Sequence, residues 1–161
     1  MKIKSSTIKI CLLFVFSLGL LSFLPNDRNY QTECVSLESD GYLTIKIWDT
    51  QKRSLYKAVK ARKDAVNAVL YSGVAGSNGC PTQPPILKTA DEQEKFKSIE
   101  EAFFSRNGKW VMFTRSAATE TTVPSHVENK SWKVYQVSVS KGELRKYLEE
   151  NNIIKPLNQG F

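Results

Sequence analysis

The chain of 161 residues contains only one histidine and three cysteines. His126 has no second histidine with which to build a metal site, and the cysteines form no CxxC pair. No GxSxG elbow marks a hydrolase nucleophile. No motif assigns catalytic, cofactor-binding or metal-ligating residues, and no cofactor is predicted. A small secreted hydrolase, with a site assembled from His126 and distant residues, is therefore an alternative rather than the favoured hypothesis.

The sequence also lacks a hydrophobic run long enough to cross a bilayer. The 15 uncharged residues at 10–24 would span roughly 22 Å as a helix at about 1.5 Å per residue, against a bilayer core of about 30 Å. Three lysines precede this run, no acidic residue occurs before Asp27, and small residues lie in its later half. This pattern is typical of a secretory signal peptide, which we predict over residues 1–24.

An uncleaved short anchor is the alternative for the same segment, and residues 8–24 would then be the membrane contact of the protein. Neither Cys11 nor Cys34 follows a lipobox, so a lipoprotein is not predicted. Both interpretations describe an exported protein, in the periplasm or on the outer-membrane or extracellular side. A cytosolic chain is the remaining alternative.

The excess of positive charge is small once the predicted signal peptide is set aside. The whole chain has a formal net charge of +7, and residues 1–24 contribute three lysines and no acid. Removing those three from the 23 basic residues leaves 20 against 16 acidic ones, a net charge of +4. That value is ordinary for a soluble surface and does not predict a nucleic-acid partner.

Two cysteines remain after the predicted signal peptide, Cys34 and Cys80. In an exported chain an even pair suggests one disulfide, and closing a loop of this length is worth about 4 kcal/mol in the chain-entropy model. Two unrelated buried thiols are the alternative. A strand followed by an antiparallel helix returns the chain towards the start of the strand, which would let the two cysteines meet at one end of the domain.

A single domain is predicted over residues 41–157, after a polar leader at 25–40 and before a C-terminal tail at 158–161. The alternation of apolar residues in YLTIKIWD predicts a strand with one buried face. Apolar residues of both parities in KWVMFTR, at 109–115, predict a strand buried on both faces. SWKVYQVSV, at 131–139, predicts a further strand after a polar loop.

The first predicted helix lies between Thr50 and Gly73 and places Leu55, Val59 and Val66 on one stripe, with alanines that allow close approach. The next stretch, GVAGSNGCPTQPPILK, is dense in glycine and proline. A phosphate-binding loop follows a strand and opens a helix, whereas this stretch follows a helix and runs into prolines. A structural loop is therefore predicted.

Capping boxes mark the starts of two more helices, one with Thr89 and Glu92 and one with Ser140 and Glu143. Residues 153–154 are predicted to add a short edge strand. The resulting order is β-α-α-β-β-α. It predicts an α+β fold with a small, largely antiparallel sheet and with helices mainly on one face.

Trp48, Trp110 and Trp132 lie on predicted strands and are candidate binding aromatics. Together they would form a platform for a glycan or a peptide, although tryptophans on strands more often pack in the core. Arg62, at the edge of the first helical stripe, is either a buried ligand-binding guanidinium or, more commonly, a surface residue whose stem covers apolar neighbours.

The segment KAVKARKDAVNAVLYSGVAG, the Gly/Pro loop and the closing VSVSKGELRKYLEENNII resemble uncharacterised exported proteins of Bacteroidetes-type bacteria. GYLTIKIWDTQKRSLYKAVKARKDAVNAV is more distantly similar to the strand-plus-helix opening of small α+β envelope domains in flagellar-assembly proteins and outer-membrane lipoproteins. These resemblances imply an envelope location and supply no catalytic residues.

The favoured interpretation is an exported, non-enzymatic envelope protein that binds or scaffolds other envelope proteins. The alternatives are the hydrolase around His126 and a glycan- or peptide-binding module that uses the tryptophans.

Overall fold

The computed structural model describes residues 28–77, 79–120 and 132–157, which form one four-stranded sheet and three α-helices. The strands are β1 (Tyr30–Leu37), β2 (Tyr42–Asp49), β3 (Thr114–Glu120) and β4 (Val134–Ser140). The helices are α1 (Ala58–Asn67), α2 (Ala90–Phe103) and α3 (Lys141–Glu150). The predicted α+β class is confirmed. The predicted signal peptide and the C-terminal tail lie outside the described residues. Among the helices that the structure describes, none has the length and apolar character of a membrane span.

Each pair of neighbouring strands in the sheet is antiparallel, and the strand order is β1-β2-β4-β3. A tight turn joins β1 to β2, and Gly41 occupies it with φ of 82°. Such a left-handed backbone favours glycine, because a side chain would be strained there. β1 and β3 are consequently the two edge strands.

The two faces of the sheet differ in polarity because successive side chains of a strand point to opposite sides. On β2, Leu43, Ile45 and Ile47 are buried and belong to the core that the helices cover. The alternating residues Thr44 and Lys46 lie on the other face, which is polar, and Thr44 shares a hydrogen bond of 2.6 Å with Ser138 of β4. The helices therefore pack on one face, as predicted.

Residues 25–40, predicted to be a polar leader, contain β1, so this part of the prediction was wrong. Seven of its residues pair with β2, with one irregularity between Cys34 and Ser36. Only Cys34 is fully buried among the eight residues of the strand. The folded unit therefore begins at or before Tyr30, and its first strand lacks the apolar alternation that would predict a half-buried strand.

Residues 109–115, predicted to be a strand, begin instead with a 3-10 turn at Lys109–Phe113. Trp110 and Phe113, three residues apart, are buried, whereas Val111 and Met112 between them are exposed. A period of three places apolar residues at both odd and even positions, which explains why the stretch resembled a strand buried on both faces.

The first helix begins later than predicted, at Ala58, after a separate 3-10 turn at Arg53–Leu55. Val66 is buried as predicted, but Leu55 and Val59 are exposed, so the predicted stripe was wrong at its N-terminal end. The helix closes with a π-helical turn, and Gly73 ends it with φ of 76°.

The predicted capping box of Thr89 and Glu92 is present at the start of α2. The one predicted for Ser140 and Glu143 is not, because Ser140 makes no capping hydrogen bond with its side chain. Ser140 is still paired with Tyr42 as the last residue of β4, and its ψ of 84° differs from the extended conformation of a usual cap.

Residues 153–154, predicted to be an edge strand, form the turn after α3. Asn152 has φ of 56°, and Ile153 donates its N–H to the carbonyl of Leu148 at 2.9 Å. This is a Schellman closure, in which a residue just beyond the helix packs against its last turn. Ile153 and Ile154 are buried there, so their apolar character serves the core and not a sheet edge.

Candidate functional site

Cys34 and Cys80 form a disulfide with their Cα atoms 5.7 Å apart, which confirms the predicted pair. The bond joins the middle of β1 to the Gly/Pro loop across a sequence separation of 46 residues. Both cysteines are buried. Because stable disulfides are characteristic of oxidising compartments, this bond indicates that the protein folds in an exported, oxidising environment.

The Gly/Pro loop is itself a small hairpin. Val74 and Gln83 exchange backbone hydrogen bonds of 2.8 and 2.9 Å, and Ser77 and Cys80 exchange bonds of 2.9 and 3.0 Å nearer the tip. A Cβ atom at Gly73 would lie 2.5 Å from the carbonyl oxygen of Gln83, closer than a real contact allows. Glycine at position 73 thus serves the turn and the close approach of the two arms.

This hairpin covers the central part of the free edge of β1. The N–H of Cys34 donates to the carbonyl of Ala75 at 2.8 Å, and the hydroxyl of Ser77 donates to the carbonyl of Cys34. Backbone groups alternate between the two sides of a strand, so Thr32 and Tyr30 direct theirs towards the same edge as Cys34. The loop therefore covers the backbone groups of the edge around Cys34, and the N-terminal half of β1 extends beyond the loop.

A cleft of about 1240 Å³ lies between β1 and the loop. β1 and Arg28 form one wall, and residues 71–77 and 82–85 form the other. Two parts of the chain far apart in sequence thus enclose a common space, and the disulfide joins them covalently. A cavity of this size is above the usual range of about 300–1,000 Å³ for small-molecule sites.

The side chains around the cleft include aromatic rings, hydroxyls and amides, together with the charged groups of Arg28, Glu33 and Lys46. Arg28 donates from Nη1 to the Ser72 hydroxyl at 2.6 Å, and its guanidinium lies 4.6 Å from the centroid of the Tyr71 ring. Tyr30 donates from its hydroxyl to Oδ1 of Asn67 at 2.7 Å. Gln93 of α2 also borders the cleft. These groups offer hydrogen bonds and flat apolar surface to a bound molecule.

Both tyrosines of the cleft remain neutral at physiological pH. Burial is the main cause that raises the pKa of Tyr30 and of Tyr71 above 10.0, and the nearby Glu100 carboxylate adds to the shift of Tyr71. A neutral phenol can both donate and accept a hydrogen bond. The two rings are therefore suited to binding polar groups without supplying charge.

The three candidate tryptophans lie on three different segments and differ in burial. Trp48 is 0% exposed and borders the cleft, on the face of the sheet opposite to its neighbour Ile47. Trp110 is 2% exposed, lies in the 3-10 turn, and donates from Nε1 to the carbonyl of Ser105 at 2.8 Å. Trp132 is half-buried. Two buried rings cannot form the exposed platform that the sequence suggested.

Arg62 is half-buried and joins α1 to the start of β3. Its Nη2 and Nε atoms donate to the hydroxyl of Thr114 at 2.6 and 3.0 Å, and its guanidinium lies 5.5 Å from the centroid of the Trp110 ring. Neither of the two predicted roles describes this arrangement, in which the guanidinium fastens one element of the fold to another.

A buried carboxylate lies on α1, away from the cleft. Asp64 accepts hydrogen bonds from the hydroxyl of Tyr56 at 2.9 Å and from the ammonium of Lys60. Burial is the main cause that raises the pKa of Asp64, and the Lys60 charge opposes that effect. Tyr56 also accepts, at its carbonyl, a bond of 3.0 Å from the hydroxyl of Tyr135. This network links α1 to the sheet and has a structural role.

The described side chains do not form a reaction centre around the cleft. Within residues 28–77, 79–120 and 132–157, no three His, Cys, Asp or Glu side chains are grouped so as to hold a metal ion. The two cysteines near the cleft are bonded to each other. His126 lies outside the described residues, so the hydrolase hypothesis remains a prediction.

Comparison with family models, with curated proteins and with solved structures finds no match for this chain.

Proposed function

We propose that this protein is an exported, non-enzymatic envelope protein that binds an extended segment of another protein in the cleft between β1 and the Gly/Pro loop. The observation that carries the proposal is the cleft itself, about 1240 Å³ in volume and bordered along one wall by an edge strand. An edge strand presents backbone donors and acceptors in a row, and extended peptides recognise such rows by adding a strand.

The orientation of β1 supports this mode of binding. The N–H of Cys34 points towards the loop, and alternation along the strand places the backbone groups of Tyr30 and Thr32 on that same side. An incoming extended segment would pair with this half of β1, where the hairpin ends. Side chains of the segment would meet the Tyr71 ring and the Ser72 and Gln93 side chains, which border the cleft.

The disulfide supports the same proposal by restraining both walls. A loop that is already fixed in its bound position loses less conformational entropy when a partner binds. Without the bond, the loop would keep its hydrogen bonds and its buried residues Val74, Ile86 and Leu87, but its tip near Cys80 would be less restrained. The Cys34–Cys80 bond therefore favours a preformed cleft over one that must be ordered by its partner.

We infer the compartment from the same bond and from the N-terminal sequence. The oxidising environment and the predicted signal peptide at 1–24 support a location in the periplasm or on the outer-membrane or extracellular side. Residues 8–24 would anchor it if they were not cleaved. Its partners are then other envelope proteins, in keeping with the resemblances of the sequence.

A glycan- or peptide-binding role for the tryptophans has less support, because Trp48 and Trp110 are buried. Peptide binding is still proposed, but with tyrosines instead of tryptophans as the aromatic contacts. Tyr30 and Tyr71 border the cleft and take over the aromatic contribution.

Site-specific photo-cross-linking in cells tests the proposal. A photoreactive residue would replace Gln31 or Thr82, which are exposed and border the cleft on opposite walls. Matched controls would carry it at Glu94 on α2 and Lys146 on α3, which are also exposed. We expect both cleft positions, and neither control, to cross-link to the same segment of an envelope protein. Equal yields from all four positions would contradict the proposal.

A further inference from the structure

A second surface combines exposed apolar side chains with positive charge. Its apolar members lie in the two 3-10 turns and in the first turn of α1. These residues and the lysines around them are called the basic-apolar patch. They are Leu55, Val59, Val111 and Met112, which are 77%, 61%, 38% and 68% exposed. The patch shares no residue with the lining of the cleft.

Contacts of α1 bring the second 3-10 turn close to the side of the helix that carries Val59. Arg62 lies three positions after Val59 and therefore on the same side of the helix. Its Nη2 atom donates to the carbonyl of Val111 at 3.5 Å. One turn along the same side, the ammonium of Lys63 donates to the carbonyl of Phe104 and lies 5.5 Å from the centroid of the Trp110 ring. The second 3-10 turn is thus held against the middle of α1, one turn after the exposed Val59.

The chain segments that build this surface are exclusively basic. Residues 50–63 contain six lysines and arginines and no acid, and residues 104–115 contain three and no acid. These nine are almost half of the 20 basic residues that follow the predicted signal peptide. Two of the nine are paired with acids, Lys60 with Asp64 and Arg115 with Asp40. The other seven leave these segments with an excess of positive charge, although the net charge of the whole chain is modest.

The acids that flank the first segment do not neutralise the surface. Asp49 is buried and accepts the backbone N–H groups of Gln51 and Lys52 at 2.8 and 2.6 Å. Asp64 is buried and is paired with Lys60 and Tyr56. The side chains of Lys52, Lys57 and Lys109 are exposed beside the apolar residues.

We propose that the basic-apolar patch docks on the surface of a lipid bilayer that contains anionic headgroups. Lysines attract anionic lipid electrostatically, and exposed leucine, valine and methionine side chains gain free energy when they enter the boundary between headgroups and acyl chains. An acidic soluble partner is the alternative, and the uncharged variant described below separates it from a bilayer. The sequence placed membrane contact only at residues 8–24, and this patch adds a contact in the folded domain.

Vesicle co-sedimentation of the full chain tests the proposal. We expect the partition coefficient on vesicles of phosphatidylcholine with phosphatidylglycerol to exceed that on phosphatidylcholine alone by at least tenfold at about 0.1 M salt, and to fall at higher salt as charges are screened. The N-terminal segment, with Lys2, Lys4 and Lys9, also attracts anionic lipid but is the same in every variant, so the differences between variants report the folded domain. No difference between the two kinds of vesicle would overturn the proposal.

Charge-reversed variants locate the binding surface. The double variant Lys57→Glu with Lys109→Glu should lose at least about 25-fold in partition on anionic vesicles, about fivefold or more for each lysine. Lys97→Glu with Lys146→Glu changes the net charge equally on exposed positions of α2 and α3 and should lose much less. Equal losses in the two double variants would mean that net charge alone drives binding, which would overturn the proposal.

An uncharged variant separates the bilayer from an acidic protein. Leu55→Ser with Met112→Ser should lower partition on anionic vesicles about fivefold or more, because apolar area no longer leaves water. It should leave the weaker binding to polyglutamate unchanged. If wild type binds polyglutamate as tightly as anionic vesicles and the serine variant changes neither, the surface recognises acidic protein and the bilayer proposal is wrong. The cleft proposal is unaffected, because the two surfaces share no residue.

Discussion

Cys34 lies on β1 and Cys80 lies in the loop that follows α1, and the 5.7 Å between their Cα atoms is the covalent joint between the two walls of the cleft. The same joint carries the inference about compartment, because it requires oxidising conditions. The same disulfide therefore bears on two conclusions, the oxidising compartment in which the protein folds and the cleft that is proposed to bind a partner.

Removing the disulfide should weaken the fold without destroying it. We expect Cys34→Ala with Cys80→Ala to lower the free energy of unfolding by about 2–4 kcal/mol, while the sheet and helices persist because Val74, Ile86 and Leu87 still anchor the loop in the core. Denaturant titration followed by circular dichroism measures both quantities. In wild-type protein denatured without reductant, neither cysteine should alkylate, and immediate alkylation of both would contradict the bond.

The buried face of α1 should tolerate no charge, in contrast to its exposed start. Val66→Asp places an unpaired carboxylate in the core and should abolish the cooperative melt or lower stability by at least about 3 kcal/mol. Val59→Asp makes the same chemical change on the same helix, at an exposed position, and should change stability by less than about 1 kcal/mol. Similar melting temperatures for the two variants would show that the wrong face has been assigned to the core.

The turn at Gly73 should require glycine. Gly73→Ala places a Cβ atom 2.5 Å from the carbonyl of Gln83 at a residue with φ of 76°, and we expect a loss of about 1–3 kcal/mol. Gly142→Ala is the matched control, because a Cβ atom there meets nothing within 4 Å on α3 and alanine favours helix by up to about 1 kcal/mol. Thermal melts that ranked the two variants in the opposite order would refute this view of the hairpin.

Stability should fall in alkaline solution, with Tyr56 as one cause. Burial, with the Asp64 charge as the next cause, raises the pKa of Tyr56 far above its usual value of 10.0. A group whose pKa is raised in the folded state contributes stability that is present below its unfolded pKa and is lost as the pH rises beyond it. Tyr56→Phe should lower stability at pH 7 through the lost bond to Asp64, and should make the decline above pH 10 shallower by about 1.4 kcal/mol per pH unit. Urea unfolding at pH 7, 10 and 11 measures this, and identical alkaline slopes would contradict it.

Hydrophobic periodicity predicted the elements in which one face is buried along the whole length of the element. Apolar and polar residues alternate along most of β2 because one of its faces is covered by helices. The Thr89–Glu92 capping box marked the start of α2. β1 escaped prediction because an edge strand with a polar outer face buries little beyond Cys34. The turn at residues 109–113 was mistaken for a strand because five residues do not distinguish a period of three from burial on both faces.

The cleft could be predicted only through its disulfide. Its walls come from β1 and from a loop about 40 residues later, and neither segment carries a motif. The predicted pairing of Cys34 with Cys80 was the one signal that brought these segments together. The sequence did not identify Tyr30 and Tyr71 as cleft residues. One lies on an edge strand and the other at a helix end, and only the tertiary fold brings both to the cleft.

Hydrogen exchange of the backbone amides of β1 tests the binding proposal most directly. The partner segment identified by cross-linking would be added as a synthetic peptide, and exchange would be followed by NMR in the full chain. The account predicts that the amides of Tyr30 and Thr32 exchange at least tenfold more slowly with peptide bound, while those of the other edge strand, β3, do not change. Unchanged exchange at Tyr30 and Thr32, or protection that appears on β3 instead, would show that the partner does not bind along β1 and would contradict the proposed function.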